Sequence, residues 1–344
     1  MKLNKHIALI VPGFPKNEED TTCLPAVQHY VDALSKKVEK VTVFSLHYPY
    51  TSNSYTWRGG KIYPLNGENS FWKRKFKLYK ALKSVFANVH QADPVSCIHT
   101  FWLNETTVFG ADLAKEFDLP ILATAHGQDV LEENKYLKIL KEREVQFFCL
   151  SDYQKKYLNR AGFSEVQVTP WGLEPREWRE EKSIDFITVG NLIPLKNMGY
   201  FIELCKAYHA ENKEFKALIL GDGPLRKELE ESINLAGMNA SVKLAGMVDH
   251  STALQMIARS KVLIHPSKFE GFGMTMIEAL ASRTHVLSTQ VGVAAANDDM
   301  NQLTMNLEDD LVLLKKLLEK GEPDPVLYSI DTTVGEYLKI YQGL

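Results

Sequence analysis

The 344-residue chain has few cysteines, no long apolar run and no excess of either charge, and each lack removes a class of protein. Its four cysteines, Cys23, Cys97, Cys149 and Cys205, stand far apart, without the paired spacing of a zinc site or a secreted disulfide framework. The apolar run near the N-terminus, Ile7–Val11, is five residues long, too short for the core of a signal peptide. Nothing approaches the roughly 18 consecutive apolar residues of a membrane span. Forty Lys and Arg against 43 Asp and Glu leave a formal charge of −3, so no global basic excess argues for nucleic acid. Short-period repeats and low-complexity tracts are absent as well. What is there is a globular composition, 45% hydrophobic and 24% charged, with length for about two domains in a reducing, cytoplasmic setting.

Short β-branched or apolar runs alternate with amphipathic stretches from end to end. In the first half the runs are Ile7–Val11, Val41–Ser45, Ser96–His99, Ile121–Ala125, Phe147–Ser151 and Val166–Thr169. Several are continuous, as in parallel strands covered by helices on both faces. The pattern breaks at Trp171–Lys182, which is polar and aperiodic. It restarts with Phe186–Val189, Ala217–Leu220, Val242–Ala245, Val262–His265 and Val286–Thr289. Two βα series about a linker predict an α/β chain of two Rossmann-like, doubly wound halves. Such sheets bind ligands beyond the carboxyl ends of their strands, so the expected site is a central cleft.

Three stretches of the second half carry chemistry. In HPSKFEGFGMTMIEAL a strand ends at His265, Gly271 and Gly273 make a turn, and a helix begins near Met274. Glycines there bring backbone N–H groups close to a ligand, which suits phosphate or sugar hydroxyls. Glu270 stands at the mouth of the turn and Glu278 about two helical turns further on, although a solvated helix with two surface glutamates fits the same residues. In GNLIPLKN, Lys196 near a helix start is a plausible diphosphate clamp, or an ordinary exposed lysine. In LILGDGPLRKELE, Gly221–Gly223 reads first as a turn before a helix started by Pro224.

In the first half Gly13 follows the first strand, and ATAHGQDVL places His126 at a strand end with Asp129 poised as an N-cap. The segment from Asn69 carries Lys73, Arg74, Lys75, Lys77, Lys80 and Lys83 without an acidic residue. Phe71, Trp72, Phe76, Leu78, Tyr79, Leu82 and Phe86 interleave them. A basic amphipathic helix with aromatics at 71–86 suits an anionic membrane surface, and equally a solvated face packed on its own domain.

FEGFGMTMIEAL resembles the Glu-x7-Glu signature of the retaining glycosyltransferases of family 4 (group 1), which have the GT-B fold. LILGDGPLRKELE is similar to that family's GDGP turn, VTPWGLEPREW to the start of its linker, and ATAHGQDVL to its HG-x-D segment. TTVGEYLKIYQGL resembles its C-terminal helix. The resemblance implies an N-terminal acceptor domain over 1–172, a nucleotide-sugar domain over 183–328, and a helix over 329–344 crossing back to the first domain. It implies sugar transfer with retention from a nucleotide-diphosphate sugar, a co-substrate rather than a cofactor. The acceptor would be a glycan or a lipid-linked sugar, and the setting cell-surface polysaccharide or lipopolysaccharide synthesis.

By the same resemblance, Glu270 and His126 lie at the donor sugar. Gly271, Phe272, Gly273 and Met274 hold its hydroxyls and phosphates, and Glu278 takes the ribose. Lys196 offsets the diphosphate, Met247 and Val248 face the base, and Gly13 and Asp129 lie on the acceptor side. Asn191 stands where the family often has Arg, and VGVAAAND lacks the usual Gly-Gly-x-x-Glu. No Asp-x-Asp triplet offers to hold a divalent metal on the donor, so a metal-independent reaction is expected, in the cytoplasm, with peripheral docking at the inner face of the plasma membrane as an open alternative. Other GT-B enzymes (a nucleotide-sugar epimerase or phosphorylase) and a non-catalytic nucleotide-sugar binding subunit are the alternatives.

Overall fold

The computed structural model describes residues 2–68, 75–174 and 179–344. The chain divides into two compact units, one of residues 1–174 with 329–344 and one of 175–328. Each is a doubly wound α/β layer, as the alternation of runs predicts.

The first unit is built on eight strands: β1 (Leu3–Gly13), β2 (Val38–Tyr48), β3 (Tyr55–Trp57), β4 (Gly60–Pro64), β5 (Cys97–Phe101), β6 (Ile121–Thr124), β7 (Gln146–Cys149) and β8 (Val166–Val168). Their order in the sheet is β3-β4-β2-β1-β5-β6-β7-β8, parallel except for the β3–β4 hairpin at one edge. That hairpin has no counterpart in the expected strands, because its arms are three and five residues long. Ile7–Val11 is fully buried, since helices cover both faces of the central strand.

The last helix, Ile330–Gly343, belongs to this unit, and buried polar groups hold it there. Tyr341 Oη lies 2.8 Å from Tyr30 Oη and 2.5 Å from His99 Nδ1. His99 Nε2 meets Thr124 Oγ1 at 2.8 Å, and that hydroxyl meets Tyr337 Oη at 2.8 Å. Burial drives the His99 pKa well below its ordinary value, so the network is made of neutral groups, each satisfied by the next. Trp171, expected to open a linker, is instead a core residue whose indole N–H donates to Ala26 O at 3.2 Å. Residues 175–178 of that stretch lie outside the described residues.

The second unit has six parallel strands: β9 (Ile184–Val189), β10 (Ala217–Leu220), β11 (Val242–Gly246), β12 (Ser260–His265), β13 (His285–Ser288) and β14 (Asn301–Gln302), in the order β11-β10-β9-β12-β13-β14. The loops after β9 and β10 touch backbone to backbone. A Cβ on Gly221 would lie 1.9 Å from Gly190 O, and Gly221 has φ +136°, so the GDGP stretch is a close-packing device as well as a turn.

Candidate active site

The second unit brings Glu270 and Lys196 together. After β12 the chain crosses Pro266–Gly273 and enters the helix Met274–Ala281. Gly273 caps that helix at φ +98°, a conformation that L side chains rarely adopt, and among the described residues no side chain caps the helix N-terminus, its positive end. The loop is stitched to the turn Pro194–Lys196, where Leu195 O accepts from Lys268 N–H at 2.8 Å and from Ser267 Oγ at 3.3 Å. That stitching carries the Lys196 ammonium onto Glu270.

Glu270 Oε1 accepts from Lys196 Nζ and, at 2.9 Å, from His265 Nε2. The carboxylate side chain is only 13% exposed. Burial pushes its pKa up, but the hydrogen bonds and electrostatic pull of His265 and Lys196 outweigh burial and hold it at about 2. Glu270 is therefore a fixed carboxylate at neutral pH, suited to accepting hydroxyl hydrogen bonds and facing developing positive charge, not to donating a proton. Phe272 O accepts from Val293 N–H at 2.7 Å, so VGVAAAND packs as a short turn directly on the Gly271–Gly273 segment.

Glu278 stands about one turn into its helix. It is 5% exposed, and Oε1 accepts from His250 Nε2 at 2.9 Å. Lys196 and Glu278 thus have different partners. Asn191 is exposed beside Gly190, Met247 is 74% exposed and Val248 partly buried just beyond β11, and Met274 opens the helix. Arg226 lies against Gly246, where an added Cβ would stand 3.1 Å from its Nη1. It is ion-paired with Glu230 at 2.9 Å and Asp222 at 3.7 Å.

In the first unit Gly13 ends β1, and the next N–H, that of Phe14, donates to Tyr48 O at 3.0 Å. His126 follows β6 with its ring stacked on Trp102 at 4.5 Å and flanked edge-on by Phe101 at 4.9 Å and Trp171 at 4.8 Å. Burial draws its pKa down to about 3. Asp129 is not the cap of a helix. Its carboxylate accepts from Leu103 N–H at 2.7 Å, Gly127 N–H at 2.7 Å and His126 N–H at 3.2 Å, and so ties two loops together.

The basic segment is also altered by its surroundings. Its helix runs Lys75–Ala92, and Phe71, Trp72, Lys73 and Arg74 lie outside the described residues. Lys75 pairs with Glu105, and Lys83 with Glu116 at 2.6 Å. Glu105 also accepts from His47 at 2.7 Å; burial opposes its ionisation, yet these partners hold its pKa at about 2. Phe76, 65% exposed, remains beside Lys77 and Lys80.

His265, His250, Arg226 and Trp102 escaped the sequence reading. His265 had a signal: it ends a strand that runs into a glycine turn. His250 and Arg226 act through partners 28 residues away and through a neighbouring loop, which no local pattern displays.

Residues 173–296 match the family described as glycosyl transferases group 1. An uncharacterised glycosyltransferase of Methanocaldococcus jannaschii is 23% identical over 279 residues, covering 75% of this chain and 78% of the relative. The alpha-D-kanosaminyltransferase of Streptomyces kanamyceticus is 25% identical over 188 residues, 49% of each chain. Among solved structures, Anabaena HepE in complex with UDP and glucose superposes with a TM-score of 0.74 at 14% identity, over 98% of this chain and 100% of that one. A sucrose-phosphate synthase from Thermosynechococcus elongatus gives 0.71 at 16% identity, over 99% of both.

Proposed function

With residues 173–296 belonging to the group 1 glycosyl transferases and the chain taking the GT-B fold, we propose that this glycosyltransferase moves a sugar, with retention and without a metal, from a nucleotide-diphosphate sugar to a glycan or lipid-linked acceptor. The observation that carries the reading is the Glu270 carboxylate tied to Lys196 and His265, beside a helix N-terminus that no side chain caps among the described residues. The bond from the anomeric carbon to the diphosphate oxygen breaks, and its electron pair leaves on the diphosphate. Positive charge then grows at the ring carbon. The Glu270 carboxylate faces that charge, while the Lys196 ammonium and the N–H groups from Gly271 to Met274 face the departing anion. The acceptor hydroxyl attacks from the same face and passes its proton to the departing phosphate oxygen. Glu278, steadied by His250, accepts from the ribose, with the base against Met247 and Val248. His126 meets the donor sugar, and Gly13 lies on the acceptor side.

A neighbour of the same fold was solved with UDP-glucose, which favours UDP-sugars as the first donors to test. The acceptor and a role in cell-surface polysaccharide synthesis follow the family resemblance. Docking at the inner face of the plasma membrane rests on Phe76, Lys77 and Lys80. Two such cations contribute only about 2 kcal/mol near an anionic surface, so docking is weak and reversible. Vesicle co-sedimentation of Lys77→Glu, Lys80→Glu against wild type tests it. For the main reading, UDP-, GDP- and ADP-sugars are screened for thermal stabilisation, which ligand binding to the native state produces by mass action. Acceptor-dependent release of the nucleotide diphosphate is then followed in wild type and Glu270→Ala. Stabilisation without turnover in either protein would support a binding subunit, and turnover without an acceptor an epimerase.

A further inference from the structure

We propose that Trp102 is a positioning residue of the sugar site, its indole holding the His126 imidazole flat in a dry aromatic box with Nδ1 the nitrogen offered to a sugar hydroxyl. The inference rests on the reading of His126 as a residue that meets the donor sugar, and it names what makes that residue work.

Trp102 is held in a backbone conformation that tryptophan avoids. Its φ is +69°, the left-handed region, which a bulky residue occupies only when its surroundings insist. The surroundings do insist. Trp102 N–H donates to Thr124 O at 2.9 Å, and Trp102 O accepts from Asn104 N–H at 2.9 Å and from the hydroxyls of Thr106 and Thr107 at 2.8 Å each. The next residue is clamped as well. Leu103 N–H donates to the Asp129 carboxylate, which also binds the backbone of His126 and Gly127, and Asn134 Nδ2 bridges Leu103 O and Asp129 O at 2.7 and 2.6 Å. A glycine would take this turn without strain, yet the position carries the largest side chain available, and that side chain stacks on His126 with 28° between the rings.

The stack determines the character of the imidazole. His126 Nε2 is sealed from solvent and has no hydrogen-bond partner among the described residues, with Phe101 and Trp171 edge-on to the ring. The residue as a whole is only partly buried, so the remaining ring nitrogen, Nδ1, is the one we assign to a ligand. The carboxylate of Asp129 reaches the His126 backbone and not its ring, and His99 lies beneath in its neutral network; Phe101, Trp102 and Trp171 bring no charge. Nothing among the described residues therefore compensates a charged imidazole, and His126 stays neutral at physiological pH. It acts as a fixed hydrogen-bonding group and not as a proton carrier.

The test uses the full-length protein labelled with 15N-histidine and titrated by NMR, with His126→Gln to assign the signal. In wild type the His126 signal stays neutral from pH 8 to pH 5. Trp102→Gly suits the left-handed backbone and opens the ring to water, so His126 then titrates inside that window. Trp102→Phe keeps a stacked face and restores the flat titration. With the donor found by the UDP-, GDP- and ADP-sugar screen, kcat falls about 10- to 100-fold in Trp102→Gly and recovers to within a few fold in Trp102→Phe. A wild-type His126 that titrates near pH 6.5, or a Trp102→Gly variant with unchanged titration, overturns the positioning claim. Altered titration with unchanged turnover separates the two layers: the stack is real, but the sugar-facing reading of His126 and the role assigned here to Trp102 both fail.

Discussion

Replacing Glu270 with glutamine removes a charge whose contribution can be worked out from its surroundings. Its carboxyl is held at about 2 in the fold against 4.5 for an unperturbed glutamate. Each pKa unit corresponds to about 1.4 kcal/mol, so ionised Glu270 contributes about 3 kcal/mol to the stability of the second unit at neutral pH. The side chain is 13% exposed, so solvent screens little of this. Because the folded value is the lower one, the contribution is complete above about pH 4.5 and drains away as the pH falls towards 2. Glu270→Gln is therefore expected to be less stable by about 3 kcal/mol at pH 7. Below pH 4.5 the gap should narrow by about 1 kcal/mol per pH unit. The assay is urea unfolding of both proteins at pH 7, 4.5 and 3.5, read by hydrogen exchange in β12, which reports the second unit alone. Equal stability at pH 7, or a gap independent of pH, would refute the electrostatic account of the Lys196–Glu270–His265 cluster.

Three further outcomes follow from the same structure. Tyr341→Phe leaves Tyr30 Oη and His99 Nδ1 without their shared partner in a sealed core; a loss of about 2–4 kcal/mol in denaturant unfolding is expected, and a loss below 0.5 would refute the network. His250→Ala frees the Glu278 carboxylate; donor-induced thermal stabilisation should shrink while the melting temperature of the unliganded protein moves little, and an unchanged donor response would show that His250 does not steady Glu278 for binding. Gly273→Ala forces a Cβ into φ +98° and against the Met276 side chain; stability should fall by about 1 kcal/mol or more, with weaker donor binding as the helix N-terminus shifts, and a neutral variant would show that the turn does not need glycine.

What the sequence determined by itself is what local patterns encode. Continuous apolar runs such as Ile7–Val11 and Val262–His265 become parallel strands because only a sheet covered on both faces buries every residue of a run. The turn Gly271–Gly273 and the helix after it are legible for the same reason, since a left-handed cap before an apolar helix calls for glycine. Tertiary structure alone decided which charges meet. Lys196 reaches Glu270 across 74 residues because β9 and β12 are neighbours in the sheet, and that order is invisible along the chain. The run of lysines from residue 73 has no acid within it, yet Glu105 and Glu116 arrive from another helix to neutralise Lys75 and Lys83. Asp129 looks like a helix cap in sequence and becomes a clamp between loops, because three N–H groups converge on it from β5's far end and its own turn. Backbone periodicity is a property of neighbours in the chain, whereas electrostatic pairing depends on distance in space, which only the packed sheet supplies.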